Sequence, residues 1–121
     1  MSERPPRRFV ILYHTGHGQA HWDLMFEREE ALATWKVYHD LLAGTKAGVE
    51  VIRIGDHRAA YLDYEGPVSG GRGQVRRVCR GTYEFLDHSP ALWRLRLNSP
   101  ECTGTILLEQ ASGPRWRLNW V

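Results

Sequence analysis

His14-Thr15-Gly16-His17-Gly18-Gln19-Ala20-His21-Trp22-Asp23-Leu24 follows directly on the apolar run Phe9-Val10-Ile11-Leu12-Tyr13. An apolar run, a glycine-containing link and a second apolar run read as strand, turn, strand. Side chains alternate faces along a strand, so His21 and Asp23 point one way and Trp22, Leu24 and Phe26 the other. The polar pair then lies opposite the core face, and His14 joins it if the turn lays the two strands side by side. Two imidazoles and a carboxylate converging on one point suit Mn²⁺, Zn²⁺, Fe²⁺ or Co²⁺, with positions left open for water or substrate. The competing reading is a histidine-rich hairpin whose rings cap strand ends and bind nothing. His17, between two glycines, fits that second reading. His14, His21 and Asp23 fit the first.

Outward from the hairpin the pattern stays β. Residues 1–8, with a proline pair and nothing to bury, read as a flexible arm, and residues 9–121 as a single domain. Strands are expected over Arg8–His14, His21–Arg28, Leu32–Val37, Val49–Ile54, Gln74–Cys79, Gly81–Phe85, Leu92–Leu97, Gly104–Gln110 and Trp116–Val121. One helical turn is expected near Asp40–Ala43. Gly55-Asp56 reads as the end of the fourth strand, which puts His57 in a turn. Glu65–Gly73, with four glycines and a proline, reads as a long shaped loop. Eight or nine short strands with little helix make an all-β barrel or sandwich, and closure into a small barrel removes exposed edges. Its interior would hold Phe9, Ile11, Trp22, Leu24, Trp35, Ile52, Leu95, Leu107, Trp116 and Leu118.

The chain has 121 residues, 42% hydrophobic and 25% charged, enough for one domain with a core and no staples. It has neither a run of membrane-span length nor an apolar leader, so a cytoplasmic monomer with no membrane partner is expected. Cys79 and Cys102 lack CxxC spacing and read as reduced thiols, a disulfide being the lesser alternative. A net charge of +2 does not by itself imply nucleic acid. Its distribution says more: Arg72, Arg76, Arg77 and Arg80 cluster, while Arg94/Arg96 and Arg115/Arg117 would form basic stripes on an outer sheet face. That is a modest argument for a polyanionic ligand. Gly70-Gly71-Arg72-Gly73 is no P-loop, since no Gly-Lys-Ser/Thr ending or helix follows it.

The order Phe9-Val10-x-x-x-His14, His21-x-Asp23-Leu24, Leu32-x-x-Trp35, Asp56-His57-x-x-x-Tyr61, then Tyr64-Glu65-Gly66-Pro67 and a glycine-rich loop resembles a known family. It is similar to the 3′-phosphoesterase domain of bacterial DNA ligase D and its free-standing relatives. Gly81-Thr82-Tyr83-Glu84 and Trp116-Arg117-Leu118 fall where that family has its late strands. The resemblance implies a small closed or nearly closed β-barrel of about eight strands with an outer groove. It also implies a manganese-dependent enzyme, zinc or cobalt being alternatives, that removes ribonucleotides and phosphates from DNA or RNA 3′ ends. Repair ligases and polymerases are the expected protein partners. By the same resemblance His14, His21 and Asp23 are the metal ligands, and His57 and Tyr61 are catalytic residues on the phosphate side.

Three positions depart from the family pattern. Met25 stands where the family has an arginine, Leu12 where it has a glutamine, and Val49 near the place of a second arginine. Arg53, Arg58 and Arg72 are the candidates to hold phosphate in their stead. A barrel of the same family that binds metal and nucleic acid but turns over weakly is the alternative function. A purely structural barrel is the least favoured reading.

Overall fold

The computed structural model describes residues 6–43 and 48–121. It contains strands β1 (Arg7–Thr15), β2 (His21–Glu27), β3 (Ala31–Val37), β4 (Val49–Arg58), β5 (Gly66–Pro67), β6 (Gln74–Ser89), β7 (Leu92–Asn98), β8 (Gly104–Ser112) and β9 (Arg115–Trp120). Its one helical element among the described residues is a 3₁₀ turn at Ala59–Leu62. The strands pair in the order β1-β2-β3-β4-β9-β8-β7-β6, and β6 pairs back onto β1. All of these pairings are antiparallel, so eight strands close a barrel and β5 lies outside it on β6. Closure leaves no long unpaired edge.

Alternation builds the core. Phe9, Ile11, Leu24, Phe26, Ala33, Trp35 and Val37 from β1–β3 meet Trp93, Leu95, Leu97, Ile106, Leu108, Trp116 and Leu118 from β7–β9 in one buried cluster. Trp35 is its hub, edge-on to Phe26, Trp93 and Trp116 at centroid distances of 5.9, 4.9 and 5.4 Å. Such edge-to-face contacts match the positive ring edge to a negative face.

Two expected core residues are displaced by one position. Val51 pairs with Val37 and Trp116 and is buried, so its neighbour Ile52 faces outward and is half-buried. Likewise Ile106 and Leu108 point in and Leu107 out. Continuous apolar runs do not declare their own parity, and a one-residue shift exchanges the faces. Trp22 packs on the core only in part, against Tyr13 at 4.7 Å.

Other boundaries also move. Strand β1 begins at Arg7, inside the stretch read as an arm, while residues 1–5 lie outside the described residues. Asp40–Ala43 forms a hydrogen-bonded turn rather than a helix: the Asp40 carbonyl accepts from Ala43 N–H, and its carboxylate from Leu42 N–H. The two strands expected on either side of Arg80 are one, β6, which pairs with β1 along its first half and β7 along its second. Gly81 permits this, because a Cβ there would collide with the Asn98 carbonyl. Strand β4 continues past Ile54 to Arg58, with a bulge opposite Leu32–Thr34, which makes His57 a strand residue. Cys79 and Cys102 are buried free thiols. No helix among the described residues is long and apolar enough to cross a membrane.

Charge on the outer face does not form basic stripes. Arg94 pairs with Asp87 at 3.4 Å and Arg96 with Glu84 at 3.6 Å. Arg117 stands between Glu50 and Glu109 in the sheet register. Cross-strand acids thus offset Arg94, Arg96 and Arg117, while Arg115 faces Ile52 and Ser112.

A second buried cluster covers part of the outside wall. Val10, Leu12, Met25, Leu32, Leu62 and Val75 pack together, with Tyr61 and Val68 against them. The excursion between β4 and β6 supplies Tyr61, Leu62 and Val68, folding back over the outward faces of β1, β2 and β3. Beside this roof lies the candidate site.

Candidate metal centre and phosphate cavity

The β1–β2 register sets His14 directly opposite His21 and Leu12 opposite Asp23. All of these side chains leave the outer face of the barrel. His21 Nε2 lies 3.1 Å from Asp23 Oδ1, and His14 Nδ1 lies 3.6 Å from Asp23 Oδ2. One donor atom from each residue falls within 4.8 Å of the others. Asp23 is 2% exposed, and its Oδ1 has no hydrogen-bond partner of good geometry. A buried carboxylate oxygen left in that state is costly unless a cation completes it.

The remaining imidazole nitrogens are already committed. His21 Nδ1 lies 3.1 Å from the Gln19 carbonyl, and His14 Nε2 lies 2.7 Å from the Arg72 carbonyl. In neutral rings those nitrogens carry the proton and donate, leaving the lone pairs of His21 Nε2 and His14 Nδ1 turned toward Asp23. Carbonyls that fix a tautomer in this way are the usual outer support of a metal-binding histidine. The donor set therefore fits a divalent transition cation with open positions. Gly73 makes the support possible. Its φ of +79° and its contact with the Thr15 carbonyl exclude any side chain, so the loop seats the neighbouring Arg72 carbonyl on His14.

Burial pushes the His21 imidazole down, but the nearby Asp23 carboxylate and the hydrogen bond to the Gln19 carbonyl outweigh it and leave the pKa above the ordinary 6.5. A raised folded-state pKa stabilises fully below the unfolded value and loses that contribution as pH rises through the folded value. In chelator-treated protein, the melting-temperature difference between wild type and His21→Gln should therefore be largest below pH 6.5 and shrink above it. With manganese added the trend reverses, because a cation takes the neutral ring. A chelated difference that grows with pH would contradict the His21–Asp23 pairing.

His14 and Asp23 border a cavity of about 390 Å³ that also takes in His57, Arg58, Tyr61 and Arg72. His57 Nδ1 lies 3.1 Å from the Gly55 carbonyl, and its ring stands edge-on to Tyr61 at 5.8 Å. The Arg72 guanidinium is tied to the Ser69 carbonyl at 2.8 Å and the Ser69 hydroxyl at 3.3 Å. Arg58 and Arg72 thus reach the site. Arg53 does not: it opposes Trp35 in the register, turns inward, and stacks on that ring at 4.3 Å. It meets the site through Asp56, a cavity residue it pairs with at 3.5 Å, offsetting that carboxylate's charge on the cavity wall.

Met25, opposite Val10 and 1% exposed, forms part of the cavity wall, and Leu12 is fully buried in the same outer cluster. Both departures from the expected polar pattern are thus members of the outer apolar cluster. His17, exposed in the β1–β2 link, lies at the cavity rim outside the donor group. Asp56 and Val75 were missed as cavity residues because the strand continuation at Gly55 and the folding back of the loop have no local sequence signal.

A comparison with models of known families matches residues 13–111 to the DNA Ligase D 3′-phosphoesterase domain. No curated protein matches the chain.

Proposed function

Because this chain belongs to the DNA ligase D 3′-phosphoesterase domain family, we propose that it is a divalent-metal-dependent phosphoesterase that trims nucleic-acid 3′ ends. Its substrates on this reading are DNA or RNA ends carrying a terminal ribonucleotide or a 3′-phosphate. The observation that carries it is the convergence of the His14, His21 and Asp23 donors at the edge of a cavity that also holds His57 and two arginines.

When bound, a divalent cation, manganese in the first instance, supplies Lewis-acid polarisation of a phosphoryl oxygen and lowers the pKa of water. The protein does the rest. His14, His21 and Asp23 hold the cation. Arg58 and Arg72 balance the charge on the non-bridging oxygens, in place of the arginine that Met25 replaces. With Nδ1 donating to the Gly55 carbonyl, only Nε2 of His57 is open to substrate. As the imidazolium, it hands its proton to the departing oxygen. Tyr61 donates a hydrogen bond from its hydroxyl to the same phosphate and keeps its proton. The apolar wall of Met25 and Val75 excludes water from one side, which strengthens each of these charge interactions.

The test is turnover of two oligonucleotides, one ending in a single ribonucleotide and one in a 3′-phosphate, with manganese and with chelator. Metal-dependent shortening or phosphate release is expected. Manganese and oligonucleotide binding without turnover would favour the alternative, a binding barrel in which the change to Met25 and Leu12 has cost catalysis.

A further inference from the structure

After Arg58 the chain turns through Ala59–Leu62 and loops out before returning at Gln74. This excursion encloses a second cavity of about 230 Å³, lined by Arg58, Ala60, Tyr61, Tyr64, Pro67 and Ser69. Arg58 and Tyr61 also line the metal-side cavity, so the two spaces share a wall. The smaller space differs in chemistry. Its lining is mostly ring and aliphatic carbon, with Arg58 as its one charged group among the described residues.

Tyr61 and Tyr64 meet edge-to-face, with centroids 5.7 Å apart and planes at 89°. An edge-to-face pair occupies one face of one ring and leaves the faces of the other open. The Tyr64 hydroxyl is committed to the Pro67 carbonyl, yet the residue remains 37% exposed. What Tyr64 offers outward is therefore aromatic surface. Rings beside a guanidinium form the kind of platform on which nucleobases stack, and stacking tolerates any base.

We propose that this cavity is a nucleobase subsite, which takes the base of the nucleoside whose 3′ oxygen carries the phosphate. That nucleoside is common to a ribonucleotide-ended and a phosphate-ended strand, and a single sugar joins its base to the phosphate. Arg58, facing both spaces, contacts the ligand where base and phosphate meet. The inference rests on the phosphoesterase reading and adds to it which part of the strand is held, and by what.

The experiment uses the manganese-loaded full chain and two 3′-phosphate-ended oligonucleotides, one with an intact terminal nucleoside and one abasic there. Binding is followed by fluorescence anisotropy in a His57→Ala background, so that substrate persists, and phosphate release is followed with His57 intact. Wild-type Tyr64 should bind the intact end on the order of tenfold more tightly than the abasic end. Tyr64→Ala should bind both ends alike, and Tyr64→Phe, which keeps the ring, should restore the preference. Metal-dependent phosphate release with no base preference in binding would overturn the subsite and leave the phosphoesterase reading standing. A preference that survives in Tyr64→Ala would also overturn it. Absence of both binding and release would overturn the two together.

Discussion

Asp23→Ala is expected to abolish tight manganese binding and to lower turnover of either 3′-ended substrate on the order of a thousandfold or more. Asp23 is the only carboxylate in the donor group, and both imidazoles are aimed at it. Removing it withdraws the negative charge that offsets a cation and leaves two neutral rings. A cation contributes several kcal/mol at a phosphoryl transition state, and each ~1.4 kcal/mol is a factor of ten in rate. Asp23→Asn keeps the volume and one oxygen, and should fold as wild type while binding metal poorly. Calorimetric titration with manganese beside the turnover assay separates the two effects. Unchanged manganese affinity in Asp23→Ala would remove this residue from the centre.

His57→Ala should give the complementary result: manganese affinity near that of wild type, with turnover lower by about a hundred- to ten-thousandfold. His57 is not in the donor group, and its Nδ1 is spent on its own strand at Gly55. On the proposed reading its other nitrogen, Nε2, serves the substrate. The deficit should be larger for the substrate with the poorer leaving group, since that reaction depends more on proton delivery. Loss of manganese binding in this variant would mean that His57 is a ligand. Undiminished turnover would mean that the proton comes from elsewhere. The pair of variants thus divides holding the cation from moving the proton.

Much of this site was legible in the hairpin itself. The spacing of His21 and Asp23, with Trp22 and Leu24 between and beyond them, assigns the two faces without any tertiary information. The antiparallel register that brings His14 onto His21 follows from a short glycine-containing link. His57 was harder, because Asp56-His57-Arg58 carries every mark of a turn and its strand character depends on a bulge against β3. Arg53 and Arg58 are not separable by composition, yet one enters the barrel and the other lines the cavity.

By itself the sequence determined the all-β class, the approximate strand count and the grouping of the three donors. These depend on local alternation and on turn residues, which neighbours in the chain dictate. Only the tertiary structure decided three further matters. It set the inward parity of Val51 over Ile52, the seating of the Arg72 carbonyl on His14 across 58 positions, and the burial of Leu12 and Met25 under the excursion that carries Leu62. The reason is that alternation fixes which side chains share a face, but not which face is inside or what later segment will cover it. Those choices are made by barrel closure and by the loop that packs on its wall, both contacts between residues far apart in the chain.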